Sequence, residues 1–297
     1  MYTNRAVGMA YISPFIIGLL LFLLFPFVAS LGLSFTDYRL QDRWSEARFI
    51  GAGNYTEMFA DHTFRKSLWT TLLYVLITVP LKLAFALCIA FVLNFKLRGI
   101  NFFRTAYYLP SILGGSVAIA VVWRYVYAGD GLINQALTLA GLGTVNWLGE
   151  PSMALVTIIL LRTWQFGSAM VVFLAGLQGI PQDLYEAAKL DGAGPWRTFR
   201  RVTLPLLTPV LFFNFIMQSV QAFQEFNGPY VVTGGGPLKS TYLLPLMIYE
   251  EAFKYFDLGY ASAISWFLFV LIGIITAIAF RSQRYWVFYA QDRERAP

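Results

Sequence analysis

Asn214, Gln218, Gln221 and Glu225 follow one another at intervals of four, three and four residues, a spacing that sets them on one face of a helix. Such a stripe suits two tasks. Its amides can hold helices together by interhelical hydrogen bonds, or the amides and the carboxylate can form a polar wall that receives hydroxyl groups of a passing solute. The second task fits Gln218, Gln221 and Glu225 better, and Asn214 suits either. Arg162, Trp164 and Gln165 form a second group. Arg162 matches an acid such as Glu225 or an anionic solute, while Trp164 can stack on a sugar ring or pack inside a helix bundle.

Catalytic chemistry is poorly supplied. The chain has one histidine, His62, and one cysteine, Cys88, so a His or Cys metal cluster or a Cys-His nucleophile pair has no materials. The run Thr233-Gly234-Gly235-Gly236-Pro237 is rich in glycine, but Lys239-Ser240 follows at the wrong spacing for a phosphate-binding loop. A tight turn is the expected structure there. No catalytic residue, no metal site and no cofactor held by this chain are expected.

The elements that must position these side chains are membrane spans. Of 297 residues, 58% are hydrophobic, 18% aromatic and only 13% charged, too apolar for a soluble domain with a single core. Six stretches reach the roughly 20 residues a helix needs to cross the hydrocarbon layer: 11–35, 68–94, 105–127, 153–177, 202–223 and 258–280. These runs are too long and continuous for the alternating strands of a membrane barrel. The stretch after Arg5 outlasts the apolar core of a signal peptide and is read as a retained span. The expected fold is an all-α integral membrane protein, one transmembrane domain over 1–297. A charged group at mid-span costs about 2.5–3.5 kcal/mol on insertion scales, so each polar or charged residue within a span marks a cavity, a helix contact or a snorkelling end. Lys82, just after Pro80, carries no assigned role.

Basic residues set the orientation. Arg5, Lys96, Arg98, Arg104, Arg197, Arg200, Arg201, Arg281, Arg284, Arg293 and Arg295 fall at span ends on one side, which places both termini in the cytoplasm. The opposite loops carry Asp130, Glu150, Glu225, Glu250, Glu251 and Asp257 against Lys239 and Lys254. Topology thus accounts for the net charge of +6, and no basic stripe points to nucleic acid.

Between spans four and five the polar loop 178–205 is longer than a connection requires. Gln178-Gly179-Ile180-Pro181 ends one helix, Gln182-Asp183 starts another, and Gly192, Gly194 and Pro195 turn the chain back. The expectation is a short amphipathic helix, Gln182–Leu190, exposed in the cytoplasm. Its acids Asp183, Glu186 and Asp191 disfavour an anionic lipid surface as its resting place.

Glu186-Ala187-Ala188-x-x-Asp191-Gly192-Ala193, followed by Phe199 and Leu204-Pro205, resembles the EAA loop of permease subunits from binding-protein-dependent ABC importers. Tyr108-Leu109-Pro110, Gly129-Asp130-Gly131-Leu132-Ile133-Asn134 and Thr233-Gly-Gly-Gly-Pro237 with Ser240-Thr241 resemble the carbohydrate group of that family, the maltose and glycerol-phosphate type. The resemblance implies six spans in a bacterial inner membrane and a coupling helix inserted into an ATPase groove. Glu186, Ala187, Ala188, Asp191, Gly192 and Ala193 would form that coupling surface, with Glu186 as anchor and Gly192 as bend. It implies a second homologous permease, two ATPase subunits holding ATP and Mg²⁺, and a soluble solute-binding protein that delivers a sugar. It also places Ser111, Trp164, Gln165, Gln218, Gln221, Ala222 and Glu225 beside the substrate, although the residue types here differ from those of the maltose type. The competing class is a secondary transporter driven by an ion gradient, for which an internal repeat, broken helices and intramembrane acids are expected; the sequence displays none of these.

Overall fold

A computed structural model describes residues 5–43, 46–95 and 99–288, without the side chains of 5–8 and 10. Lys96, Arg98, Arg293, Arg295 and the side chain of Arg5 therefore lie outside the described residues. Among the described residues all regular elements are helical, and extended pairing is confined to the isolated bridges Thr36–Phe49 and Arg39–Asp257. The helices are α1 (Arg5–Leu19), α2 (Phe25–Leu33), α3 (Gly53–Ala60), α4 (His62–Leu93), α5 (Ile100–Leu113), α6 (Val117–Val126) and α7 (Leu132–Leu139). They continue as α8 (Pro151–Trp164), α9 (Gly167–Gln178), α10 (Gln182–Leu190), α11 (Pro195–Thr198), α12 (Leu204–Phe223), α13 (Leu244–Phe253) and α14 (Leu258–Trp286).

Four continuous helical stretches are long and apolar enough to cross a membrane: Tyr11–Leu33, His62–Leu93, Pro195–Thr233 and Leu258–Trp286. Two further pairs reach that length together but are bent. α5 and α6 meet at 104°, and α8 and α9 at 43°. The expectation of unbroken helices at 105–127 and 153–177 is thereby corrected. At the first bend Gly114 and Gly115 interrupt the helix, and the Ser116 side chain caps α6 by accepting from Ala118 N at 3.2 Å. Hydropathy runs through this break unchanged, because glycine and serine are tolerated inside apolar stretches.

Prolines shape the other long helices. A wide turn with one extra residue occupies Leu20–Leu24, ahead of Pro26, and another occupies Phe199–Thr203, ahead of Pro205. Proline has no N–H to donate and its ring crowds the preceding turn. A locally widened helix relieves both problems without ending the span.

The chain divides into two compact units, Met1–Arg65 with Met247–Val270, and Lys66–Leu246 with Leu271–Pro297. In the first, buried Asn54 donates to the carbonyls of Ser34 at 3.0 Å and Thr36 at 2.8 Å, which ties the end of α2 to α3. Trp266 donates to Ser30 Oγ at 3.1 Å and packs its ring 4.6 Å from that of Phe27. Tyr260 donates to Asp61 Oδ2 at 3.2 Å.

The second unit holds every candidate solute-binding residue. Its helices approach closely where glycine allows it. A Cβ on Gly167 at the start of α9 would lie 2.6 Å from the Tyr107 carbonyl oxygen and 2.8 Å from Tyr108 Cα of α5. A Cβ on Gly176 would meet Val210 and Leu207 of α12 at under 3 Å. Away from the helix packing, Asn134 organises a loop. Buried to 2% exposure, it donates to the carbonyls of Gly129 and Val145 at 3.0 Å each and accepts from Val145 N at 3.0 Å and Trp147 Nε1 at 3.1 Å. The Gly-Asp-Gly-Leu-Ile-Asn run is thus a structural staple whose amide secures residues 129–147 with both of its ends. The Thr233-Gly-Gly-Gly-Pro run forms the expected tight turn, with Gly234 and Gly235 at φ +60° and +80° and the Thr233 and Thr241 hydroxyls 2.6 Å apart.

Candidate functional site

Three chain breaks bring the polar residues together: the bend between α5 and α6, the bend between α8 and α9, and the end of α12. Arg162, on the last turn of α8, is the hub. It donates from Nη1 to Gln165 Oε1 at 3.1 Å and from Nη2 to Gln221 Oε1 at 3.0 Å, and its Nε lies 3.6 Å from Glu225 Oε2. The planar guanidinium can serve three partners at once because its donors are fixed in a fork. Glu225 in turn accepts from Gly228 N at 3.0 Å. The Arg162 and Glu225 side chains are only 17% and 12% exposed, which gives the pair a less screened environment than a surface bridge.

The residues singled out in the sequence divide by what they touch. Ser111 donates to the Gln165 carbonyl at 3.0 Å and accepts from Ser168 N at 3.0 Å, so it fastens α5 to the break between α8 and α9. Gln165 is buried, and a Cβ on Gly114 would lie 2.7 Å from its side chain. Trp164 is 37% exposed with its ring 5.6 Å from that of Trp123. Gln218 and Ala222 are buried, and Gln218 Oε1 has no hydrogen-bond partner. Asn214, also buried, donates to the Ala169 carbonyl at 3.4 Å and so bridges α12 to α9. Asn227 donates to the Gly115 carbonyl at 3.1 Å, linking the segment after α12 to the α5–α6 bend. The cavity between these elements, lined by Arg162, Gln165, Glu225, Gly114 and Asn227 among others, is about 10 Å³. That leaves room for about one water molecule between these side chains.

The loop after α9 is built separately. α10 spans Gln182–Leu190, with Glu186, Ala187 and Asp191 exposed, Ala188 and Ala193 half-buried, and Leu190 89% exposed. Its C-terminus closes through Gly192 N donating to the Lys189 carbonyl at 3.1 Å and Ala193 N to the Ala188 carbonyl at 2.9 Å. This is the paired closure that needs a left-handed residue after the cap, and Gly192 supplies it at φ +70°. Tyr185 OH lies 3.2 Å from Thr203 Oγ1, which anchors α10 to the wide turn leading into α12.

Sequence reasoning assigns no role to Lys82 of α4 and misses Tyr74 and Thr78 of the same helix. All three are buried, spaced four residues apart on one face. The spacing alone was a detectable signal, but hydroxyls inside an apolar run are commonplace. The described residues contain no cluster of three or more His, Cys, Asp or Glu side chains able to hold a metal ion.

Apolar helices long enough to cross a membrane, gathered around an ion-paired polar node, place the chain among integral membrane proteins. The chain belongs to the family described as binding-protein-dependent transport system inner membrane component, which matches residues 50–287. It is therefore a transport permease subunit of an ABC importer and not an enzyme. Among curated relatives, the probable ABC transporter permease protein YesP of Bacillus subtilis is 47% identical over 98% of this chain and 94% of the relative. The sulfoquinovosyl glycerol transport system permease protein SmoG of Agrobacterium fabrum is 36% identical over 94% and 90%. The fold matches a chain of a bacterial alginate ABC transporter solved with an alginate pentasaccharide-bound periplasmic protein, with a TM-score of 0.82, 22% identity and 95% of each chain covered. Family membership favours the importer over a gradient-driven transporter, even though the helices prove to be broken.

Proposed function

We propose that this chain forms a single permease domain of six spans, counting α5–α6 and α8–α9 as one crossing each, with both termini in the cytoplasm. It conducts a carbohydrate released by a soluble binding protein, as the sulfoquinovosyl glycerol transport system to which SmoG belongs and the carbohydrate-group motifs support. A second permease completes the path, and two ATPase subunits supply ATP and Mg²⁺ from below. α10 is the coupling helix. The observation that carries this reading is its construction: an exposed acidic helix, closed by Gly192 and anchored to the approach to α12 through Tyr185 and Thr203. A push on α10 is thereby transmitted to the helix that bears Gln218, Gln221 and Glu225. Such a lever biases one of two packed states of the bundle.

The path runs past Trp164, Gln165, Gln218, Gln221, Ala222 and Glu225, with Ser111 holding the bend and Arg162 poised between ion pair and solute. The 3.6 Å contact between Arg162 and Glu225 is the one a solute would exchange on reaching Arg162. The test is Glu186→Lys in the assembled importer, reconstituted in vesicles. Uptake should fall at least tenfold while membrane insertion stays normal, through uncoupled hydrolysis or lost ATPase docking. Wild-type uptake by this variant would remove the coupling assignment.

A further inference from the structure

α4 presents a buried polar face along its length: Ser67, Thr71, Tyr74, Thr78 and Lys82, at intervals of four, three, four and four residues. In the upstream part Thr71 donates to the Ser67 carbonyl at 2.8 Å and accepts from Leu244 N at 2.9 Å, while the buried Ser67 hydroxyl has no hydrogen-bond partner. The downstream part places further unpartnered groups together. Tyr74 OH and Thr78 Oγ1 lie near each other without hydrogen-bond geometry, and neither has another partner. Lys82 is 2% exposed, and no carboxylate pairs with it among the described residues. Its ammonium and the Tyr74 hydroxyl are both within electrostatic reach of Arg162 and Glu225. Gln218 Oε1, also buried and unpartnered, belongs to the neighbouring path on α12.

Charge counting sharpens the point. Two basic side chains, Lys82 and Arg162, lie within electrostatic reach of one carboxylate, Glu225, and Arg162 already engages it. A lysine buried without a counter-ion is costly as a cation, so an anion brought to it would stabilise its charged form. A neutral sugar offers hydroxyls to Tyr74, Thr78 and Gln218 but brings the lysine no counter-charge. A sugar bearing a carboxylate or sulfonate satisfies both.

Resting on the carbohydrate-import reading above, we propose that Lys82 is an anion-recognising residue of the path, and that the natural cargo is an acidic sugar. Lys82 and Arg162 receive its anionic group, with Tyr74 and Thr78 donating to the same end of the molecule. Arg162 then exchanges Glu225 for the cargo as the site opens.

The whole importer, with its partner permease, ATPase subunits and binding protein, is reconstituted in proteoliposomes and given ATP with one sugar mixture. The mixture holds neutral disaccharides from cellulose, galactan and xylan, uronate disaccharides from pectin and glucuronoxylan, and sulfoquinovosyl glycerol; accumulated species are identified by mass spectrometry. An acidic species should accumulate. Lys82→Met should lower that accumulation by roughly tenfold to a hundredfold, the loss of one charge-assisted hydrogen bond, while leaving any neutral sugar within twofold. Lys82→Arg should restore acidic uptake to within threefold, and Lys82→Gln replaces the methionine variant if that complex does not assemble. Neutral sugars alone in the lumen would overturn the proposal and leave sugar import standing. Equal losses in the arginine and neutral variants would make Lys82 a packing residue and overturn it as well. An empty lumen would refute the sugar-import reading itself.

Discussion

Removing both members of the Arg162–Glu225 pair should destabilise the permease by less than the sum of the two single removals. At 3.6 Å, two unit charges attract by about 4.6 kcal/mol for an effective dielectric of about 20. Partial exposure and desolvation of the pair reduce the net value to roughly 2 kcal/mol. Glu225→Gln keeps an acceptor for Gly228 N but leaves Arg162 with only neutral partners. Arg162→Met strands a carboxylate and also frees the amides of Gln165 and Gln221. Each single variant should therefore lower the apparent Tm of the detergent-solubilised permease by about 4–8 °C, taking about 2–4 °C per kcal/mol for a chain of this class. The double variant should lose less than the sum of the two, by a coupling of about 1–3 kcal/mol. Heating followed by size-exclusion chromatography reads all four proteins under identical conditions. Simple additivity, with coupling below about 0.5 kcal/mol, would mean that water or lipid headgroups already screen the pair and that the node is not a dry ionic contact.

Two further outcomes follow from local geometry. Gly192→Ala should cost about 1 kcal/mol of local stability at the end of α10, since alanine resists the left-handed conformation at φ +70°. Hydrogen exchange at the Gly192 and Ala193 amides should rise severalfold while α12 stays protected, and unaltered exchange would mean the closure does not hold the loop. Asn134→Ala should lower stability by about 2–4 kcal/mol, because Val145 N and Trp147 Nε1 lose their shared acceptor inside a buried site. Limited proteolysis between residues 129 and 147 reports it, and a wild-type digestion pattern would show that solvent replaces the staple.

The helix Gln182–Leu190 was readable in the sequence because its ends are chemical: Pro181 and Gln182-Asp183 start it, and Gly192 stops it. The polar face of α12 was readable because period speaks louder than composition in an apolar run. Other features were not. The 104° bend between α5 and α6 depends on Gly114 and Gly115 failing to continue a helix, yet many spans carry glycine pairs and stay straight. Ser111 gave a family likeness to solute contact, whereas both hydrogen-bonding directions of its hydroxyl are spent on Gln165 and Ser168. Lys82 was visible as an anomaly, but its neighbours Arg162 and Glu225 are some eighty and 140 residues away in the chain. Only folding places those charges within reach of one another.

The wide turn at Phe199–Thr203 has a further meaning as a matter of phase. Each residue advances a helix by about 100°, so the extra residue ahead of Pro205 fixes the azimuth of everything after it. Without it, the face bearing Asn214, Gln218, Gln221 and Glu225 would swing by about a quarter of a revolution relative to α10 and would turn its polar groups away from Arg162. This stretch is therefore read by its count as much as by its letters: substitutions that keep the number of residues are absorbed, whereas a single deletion rotates the wall of the path out of alignment with its lever.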